Sequence, residues 1–246
     1  MLLFHRLLLA HLIADFPLQT TELVRWKQRS PYGVIVHCAV VGVVSGLLLY
    51  PDLGRFWPGI LTLALVHILA DQGKISLTRQ RPRADNVFSF VGDQLLHVAA
   101  IALVALAYRG YQPTSLGGSL GILTEQAQLL DLPHIVFLSC VIGSAFGGTY
   151  LVLFLARTYS PHTTNLQVNY AQELLGVVER GAVTAFAAIG SPVAWVAIAV
   201  VVALKLAAGF KLHPDPEGRR NFVTFDVLFS ALFAVALGLL AQRYGS

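Results

Sequence analysis

Apolar runs of about 17–23 residues, each near the ~20 that carry a helix across hydrocarbon, alternate with short polar connections along the whole chain. They predict eight helices, at roughly 1–18, 33–50, 56–77, 88–108, 135–156, 170–189, 192–211 and 221–242. The runs are rich in Leu, Val, Ala and Gly and lack period-2 alternation, which speaks against a β-barrel. Pro17, Pro31, Pro51, Pro58, Pro133, Pro161 and Pro192 lie at or near segment ends, where proline is best tolerated. The expected fold is an all-α polytopic membrane protein of about eight transmembrane helices. The sixth is the most polar, because it carries Glu179 and Arg180.

The polar positions inside these runs repeat. His11-Leu12-Ile13-Ala14-Asp15 returns as His67-Ile68-Leu69-Ala70-Asp71, with imidazole and carboxylate four residues apart in both copies. That spacing puts the two groups one turn apart on one helix face. Asp93 and His97 repeat it in reverse order. A shift of 56 residues also carries His37 onto Asp93. Helices one and two then correspond to helices three and four in the same orientation, a parallel two-hairpin repeat. The chain divides accordingly into a polar four-helix bundle at 1–108, an outer connection at 109–134, and a C-terminal four-helix membrane bundle at 135–246. The connection holds Gly117-Gly118-Ser119 ahead of Leu120 to Leu132, a pattern compatible with an interfacial helix.

Composition agrees with this reading. Of 246 residues 56% are hydrophobic and 12% charged, with mean hydropathy +0.67, whereas soluble proteins average about 25% charged. Cys38 and Cys140 fall inside apolar runs and read as small buried residues, not a disulfide framework. No cleaved signal peptide is expected, since the first run carries His11 and Asp15 and no small-residue cleavage pattern follows. The net charge of +4 reads as a topology signal, with no nucleic-acid partner implied. Arg25, Lys27, Arg29, Lys74, Arg79, Arg81, Arg83, Arg157, Lys205, Lys211, Arg219 and Arg220 lie on one side of the predicted topology. Only Arg6, Arg55, Arg109 and Arg243 lie on the other. Positive residues favour the cytoplasm, so both termini are expected outside.

With this topology, distance from a helix end becomes depth at 1.5 Å per residue. Asp15, Asp71 and Asp93 then lie near the cytoplasmic ends of helices one, three and four. His11, His67 and His97 sit one turn deeper, and His37 about one turn inside helix two. Imidazoles with carboxylates suit a divalent transition metal, zinc above all. The candidate ligands are His11, Asp15, His37, His67, Asp71, Asp93 and His97, enough for one or two ions. Asp15, Asp71, Asp93 and His37 are also candidates for proton transfer, as a base beside a metal-activated water. Gln19, Lys74, Gln94, Arg79, Arg81 and Arg83 surround the cluster and are candidates for holding an anionic substrate. The arginines also serve as topology anchors. In the second half, Glu179 with Arg180, Lys205 and Asp226 are candidates for internal pairs or helix contacts.

His11-Leu12-Ile13-Ala14-Asp15-Phe16-Pro17-Leu18-Gln19, His37, the His67 to Asp71 element and Asp93-Gln94-Leu95-Leu96-His97 resemble a family of bacterial integral-membrane proteins, domain of unknown function 3307. The similarity covers roughly residues 1–108. A weaker likeness continues through Gly176 to Arg180 and Lys205. At Asn221 this chain departs from an acidic preference of the family. The resemblance implies a multi-pass protein of the bacterial cytoplasmic membrane and no particular activity. The residues themselves favour a metal-dependent hydrolase of a lipid or lipid-linked ester or phosphoester at the cytoplasmic leaflet. A metal-cation or proton transporter using the same cluster is the alternative, and a structural or regulatory membrane subunit the third reading. Membrane lipid is the expected partner, and a homo-oligomer is compatible with the pattern.

Overall fold

The structure is a computed structural model that describes residues 1–50, 52–111, 131–159, 170–212, 220 and 222–245. The segment with Gly117-Gly118-Ser119, expected as an outer connection, lies outside the described residues together with Pro51, Pro161, Arg219 and Asn221. Among the described residues all regular structure is helical. In chain order the helices are α1 (Leu2–Asp15), α2 (Thr21–Arg29), α3 (Pro31–Leu48), α4 (Leu53–Gln80) and α5 (Val87–Ala107). They continue with α6 (Leu132–Tyr159), α7 (Tyr170–Ile189), α8 (Pro192–Leu212) and α9, π-helical over Phe222–Phe229 and α-helical over Ser230–Gly245. Two compact units, Met1–Ser139 and Cys140–Ser246, divide the chain within α6.

Five helices are long and apolar enough to cross a membrane: α3, α4, α5, α6 and α9 from Val223. This is therefore a membrane protein. α8 is apolar over the shorter stretch Pro192–Ala208. α1 has 14 residues, a rise of about 21 Å against a hydrocarbon core of about 30 Å.

In the first unit α1 packs on α3 and α5, and α4 packs on the same two helices. The four form a ring with α1 across from α4. Its apolar core, built on Leu3, Leu7, Leu49, Phe56, Leu63 and Ile101, fills one end. That end is made by the starts of α1 and α4 and the last turns of α3 and α5. The helices are inside-out by soluble standards: on α4, Leu69 is 72% exposed and Leu65 53%, while His67 is 2% exposed. Apolar residues lose nothing by facing lipid, so the ring keeps its polar groups for the interior.

α2 is the element that hydrophobic run length does not predict. Thr20 accepts a hydrogen bond from Leu23 N–H and starts the helix; Ser30 accepts one from Tyr32 N–H and, with Pro31 in the first turn, starts α3. The chain therefore doubles back sharply between them. Gly33 makes this fit, since a Cβ there would come within 2.6 Å of the Trp26 carbonyl carbon. α5 is started by a capping box between Asn86 and Ser89.

The second unit is built on α7, which packs against α9, α8 and the middle of α6. Val183, Ala187, Ile198 and Ala234 form its core. α6 widens to a π-helical turn at Gly143–Gly147, which turns the Ala145 carbonyl toward Arg180 of α7. Arg180 Nε and Nη2 both donate to that oxygen at 3.2 Å, Nη1 donates to Ser230 Oγ at 3.4 Å, and Nη2 also donates to Thr149 Oγ1. Gly148 leaves room for the guanidinium arm, because a Cβ there would lie 2.8 Å from Arg180 Cδ. Glu179 pairs with Lys205 at 2.7 Å, and Lys205 also donates to the Asp226 carbonyl.

Candidate metal centre

The seven residues that the sequence placed at one depth meet inside the first unit, at the end of the ring opposite its apolar core. α1 brings His11 and Asp15, α3 brings His37, α4 brings His67 and Asp71, and α5 brings Asp93 and His97. All but Asp93 are buried as whole residues, and the Asp93 side chain itself is 8% exposed. The i, i+4 pairs are separated by 3.8 Å between His11 and Asp15 and 3.5 Å between Asp93 and His97. The imidazoles also touch one another. His67 stacks on His97 with centroids 4.0 Å apart, His11 lies 5.0 Å from His97, and His37 lies 4.9 Å from His67.

The closest grouping is a triangle. His37 Nε2 lies 3.0 Å from Asp15 Oδ1 and 3.0 Å from His67 Nε2, and His67 Nε2 lies 3.1 Å from the same Asp15 oxygen. Protons cannot satisfy all three sides well. If both rings donate to the carboxylate, two N–H groups oppose each other; if one ring donates to the other, the second loses its donor to Asp15. A cation at the apex removes the conflict, since three lone pairs then point at it. Metal–ligand bonds of about 2.0–2.1 Å at tetrahedral angles separate ligand atoms by roughly 3.3 Å, close to the observed sides. These three residues, all buried, fit a metal ion as they stand.

Three further sets have ligand atoms within 4.8 Å of one another: His11 with His67 and His97; Cys38 with His67 and Asp71; and Asp71 with Asp93 and His97. A cavity of about 10 Å³, room for roughly one water, opens beside the first of these sets. Eight of its lining residues form four pairs 56 positions apart: Leu7 and Leu63, His11 and His67, Val41 and His97, Ser45 and Ile101.

The surrounding polar groups act mainly on the cluster. Gln94 lies 3.3 Å from His11 Nε2 through its oxygen and donates to Asp15 Oδ2 at 3.3 Å. Gln19 donates to the Asp15 carbonyl at 2.9 Å. Lys74 pairs with Asp93 at 2.9 Å. Arg79 donates to the Gln28 carbonyl, and Arg81 and Arg83 are exposed at the same end of the unit.

Two participants escape sequence reasoning. Lys27, counted only among the topology charges, reaches in from α2 to Asp71 Oδ2 and Gln19 Oε1, each at 2.5 Å. The available signal was the amphipathic stretch around it, with Leu23 and Val24 half-buried and Arg25 and Gln28 exposed. Cys38, read as packing, lies beside His67 and Asp71; only its position next to His37 hinted at this.

Residues 3–117 match the family described as "Protein of unknown function (DUF3307)". The match contains every residue of the cluster and stops short of the second unit. No curated protein and no solved structure matches the chain.

Proposed function

On the premise that residues 3–117 belong to the DUF3307 family, whose description carries no activity, we propose that this chain is a metal-dependent membrane enzyme. Its reaction is the hydrolysis of a lipid or lipid-linked ester or phosphoester at the cytoplasmic leaflet. The observation that carries the reading is the buried Asp15, His37 and His67 triangle with sides of 3.0, 3.0 and 3.1 Å. Two imidazoles and one carboxylate leave further coordination positions for water and substrate, the composition of catalytic zinc sites. Such an ion would lower the pKa of a bound water and polarise the scissile group. Gln94 orients Asp15 and His11, and Lys74 with Arg79, Arg81 and Arg83 draws the anionic headgroup.

The same reading includes eight spans in a bacterial cytoplasmic membrane with both termini outside, supported by the twelve-to-four division of basic residues. It also includes a duplicated α1–α3 and α4–α5 hairpin. The ring order of the helices and the four cavity pairs 56 positions apart support that duplication. A second reading, passage of a metal cation, is favoured by the overlap of the ligand sets through His67, Asp71 and His97. Against it stands the apolar core of Leu3, Leu7, Leu49 and Phe56 at the other end of the ring, which leaves the cluster open at one end only.

The test is elemental analysis of detergent-purified chain, wild type beside His37→Ala, followed by incubation of the zinc-loaded protein with mixed bacterial lipids. The expected result is one tightly held ion, lost in His37→Ala, and lipid cleavage that depends on it. Ion binding with flux into liposomes and no cleavage would move the assignment to transport. Absence of stoichiometric metal after chelator-free purification would remove both.

A further inference from the structure

The two remaining carboxylates of the cluster are each held by a lysine. Lys27 Nζ lies 2.5 Å from Asp71 Oδ2, and Lys74 Nζ lies 2.9 Å from Asp93 Oδ2. Asp15, by contrast, faces only imidazoles and the Gln94 amide. Asp71 and Asp93 also form a ligand set with His97, with ligand atoms within 4.8 Å of one another. His97 is 3% exposed, and its Nε2 lies 3.5 Å from Asp93 Oδ1 without a hydrogen bond of good geometry. This set shares no residue with Asp15, His37 and His67.

We infer that Asp71, Asp93 and His97 form a second divalent-cation site, distinct from the triad, and that Lys27 on α2 closes it when no ion is bound. The inference rests on the metal reading of the first unit and adds a regulated second position to it. Two carboxylates and an imidazole give oxygen-rich ligation, suited to zinc or manganese. An ion on Asp71 and the Lys27 ammonium are like charges that draw on one carboxylate, so binding of one disfavours the other. Lys74 has an easy exit, since its side chain is 26% exposed. Lys27, 10% exposed, leaves only if its side chain swings out or α2 lifts.

α2 is suited to lifting. It has no buried residue. Lys27 ties it to Asp71 and Gln19, and Arg79 ties it to the α4 end through the Gln28 carbonyl. It packs on α3 next to the tight Ser30 reversal, with the Trp26 and Lys27 backbone on Gly33, and the reversal can act as a hinge. Occupation of the second site therefore frees α2 from the mouth of the cluster and opens the triad to a substrate. An ion at one position thus controls access to the other.

The experiment is a zinc titration of the full chain in detergent, by equilibrium dialysis and elemental analysis, on wild type, Lys27→Met, Lys27→Met with Asp93→Asn, and His37→Ala. The same titration on a chain carrying Trp57→Phe and Trp195→Phe reads the emission of Trp26, the neighbour of Lys27, with both sites intact. Lys27→Met is expected to tighten the second equivalent by about tenfold or more while leaving the first unchanged. Adding Asp93→Asn returns the stoichiometry to one, and His37→Ala removes the first ion only. Trp26 emission is expected to change with the second equivalent. One ion lost in His37→Ala, with no second in Lys27→Met and a silent Trp26, overturns this inference and leaves the triad standing. No zinc at all overturns both.

Discussion

The two units bury polar groups in opposite ways. In the second, Lys205 and Arg180 each meet partners of complementary kind: Lys205 meets Glu179 and the Asp226 carbonyl, and Arg180 meets a carbonyl and two hydroxyls. Donor faces acceptor, the network closes on itself, and it needs nothing from outside. In the first, lysines meet Asp71 and Asp93, but at the centre of the cluster like faces like. Imidazole nitrogens oppose one another at 3.0 Å, and three aspartates share a slab with four histidines. The contrast separates a polar network that holds helices together from one whose lone pairs converge on a common point, the arrangement on which the proposed metal site rests.

The largest expected effect that tests this contrast is on the closed network. Lys205→Met strands Glu179 and is expected to cost about 3–5 kcal/mol, as breaking one side of a buried pair does, without changing zinc stoichiometry. Thermal or denaturant unfolding in detergent measures it. Adding Glu179→Gln restores most of the loss if the network is purely structural. Loss of zinc in Lys205→Met would erase the distinction between the units.

Next in size is Gln94→Ala. The amide hydrogen-bonds to His11 and Asp15, so its removal is expected to weaken zinc by roughly 10–100-fold, the usual cost of losing a group that orients ligands. Competition against a chelator of known affinity gives the number. An unchanged affinity would mean that Asp15 is placed by its helix alone, and unfolding instead of weakened binding would make the first unit resemble the second.

The smallest effect sharpens the comparison from outside. Leu69 lies between His67 and Asp71 in sequence, yet its side chain is 72% exposed on the ring's outer face. Leu69→Ala is expected to change stability by less than about 0.5 kcal/mol and zinc affinity not at all, as for other surface positions. A zinc effect comparable to that of Gln94→Ala would show that face packing against another chain or unit.

Several features were legible before any coordinates. The positions of the eight predicted helices agree with α1 and α3 to α9 because apolar run length marks them directly; proline is a looser guide, since Pro58, expected near a helix end, lies inside α4, which begins at Leu53. That His11, Asp15, His37, His67, Asp71, Asp93 and His97 come together was also legible, because rise per residue is constant and places them at matching distances from their helix ends. α2 was hidden because it has nine residues and no apolar run; its amphipathic face acquires meaning only when it folds back on α3. Gln19 and Gln94, candidates for substrate contact by their place beside the aspartates, have amides that bond to Asp15, a matter of side-chain direction that spacing leaves open.

Sequence alone determined which groups lie at matching distances from their helix ends, since that depends only on counting along helices whose ends are set by hydrophobicity. Tertiary structure decided what each group faces. The rotation of each helix about its own axis and the reversal at Ser30 arise from packing between segments far apart in the chain. They put two imidazole nitrogens against one carboxylate oxygen and bring Lys27 over Asp71.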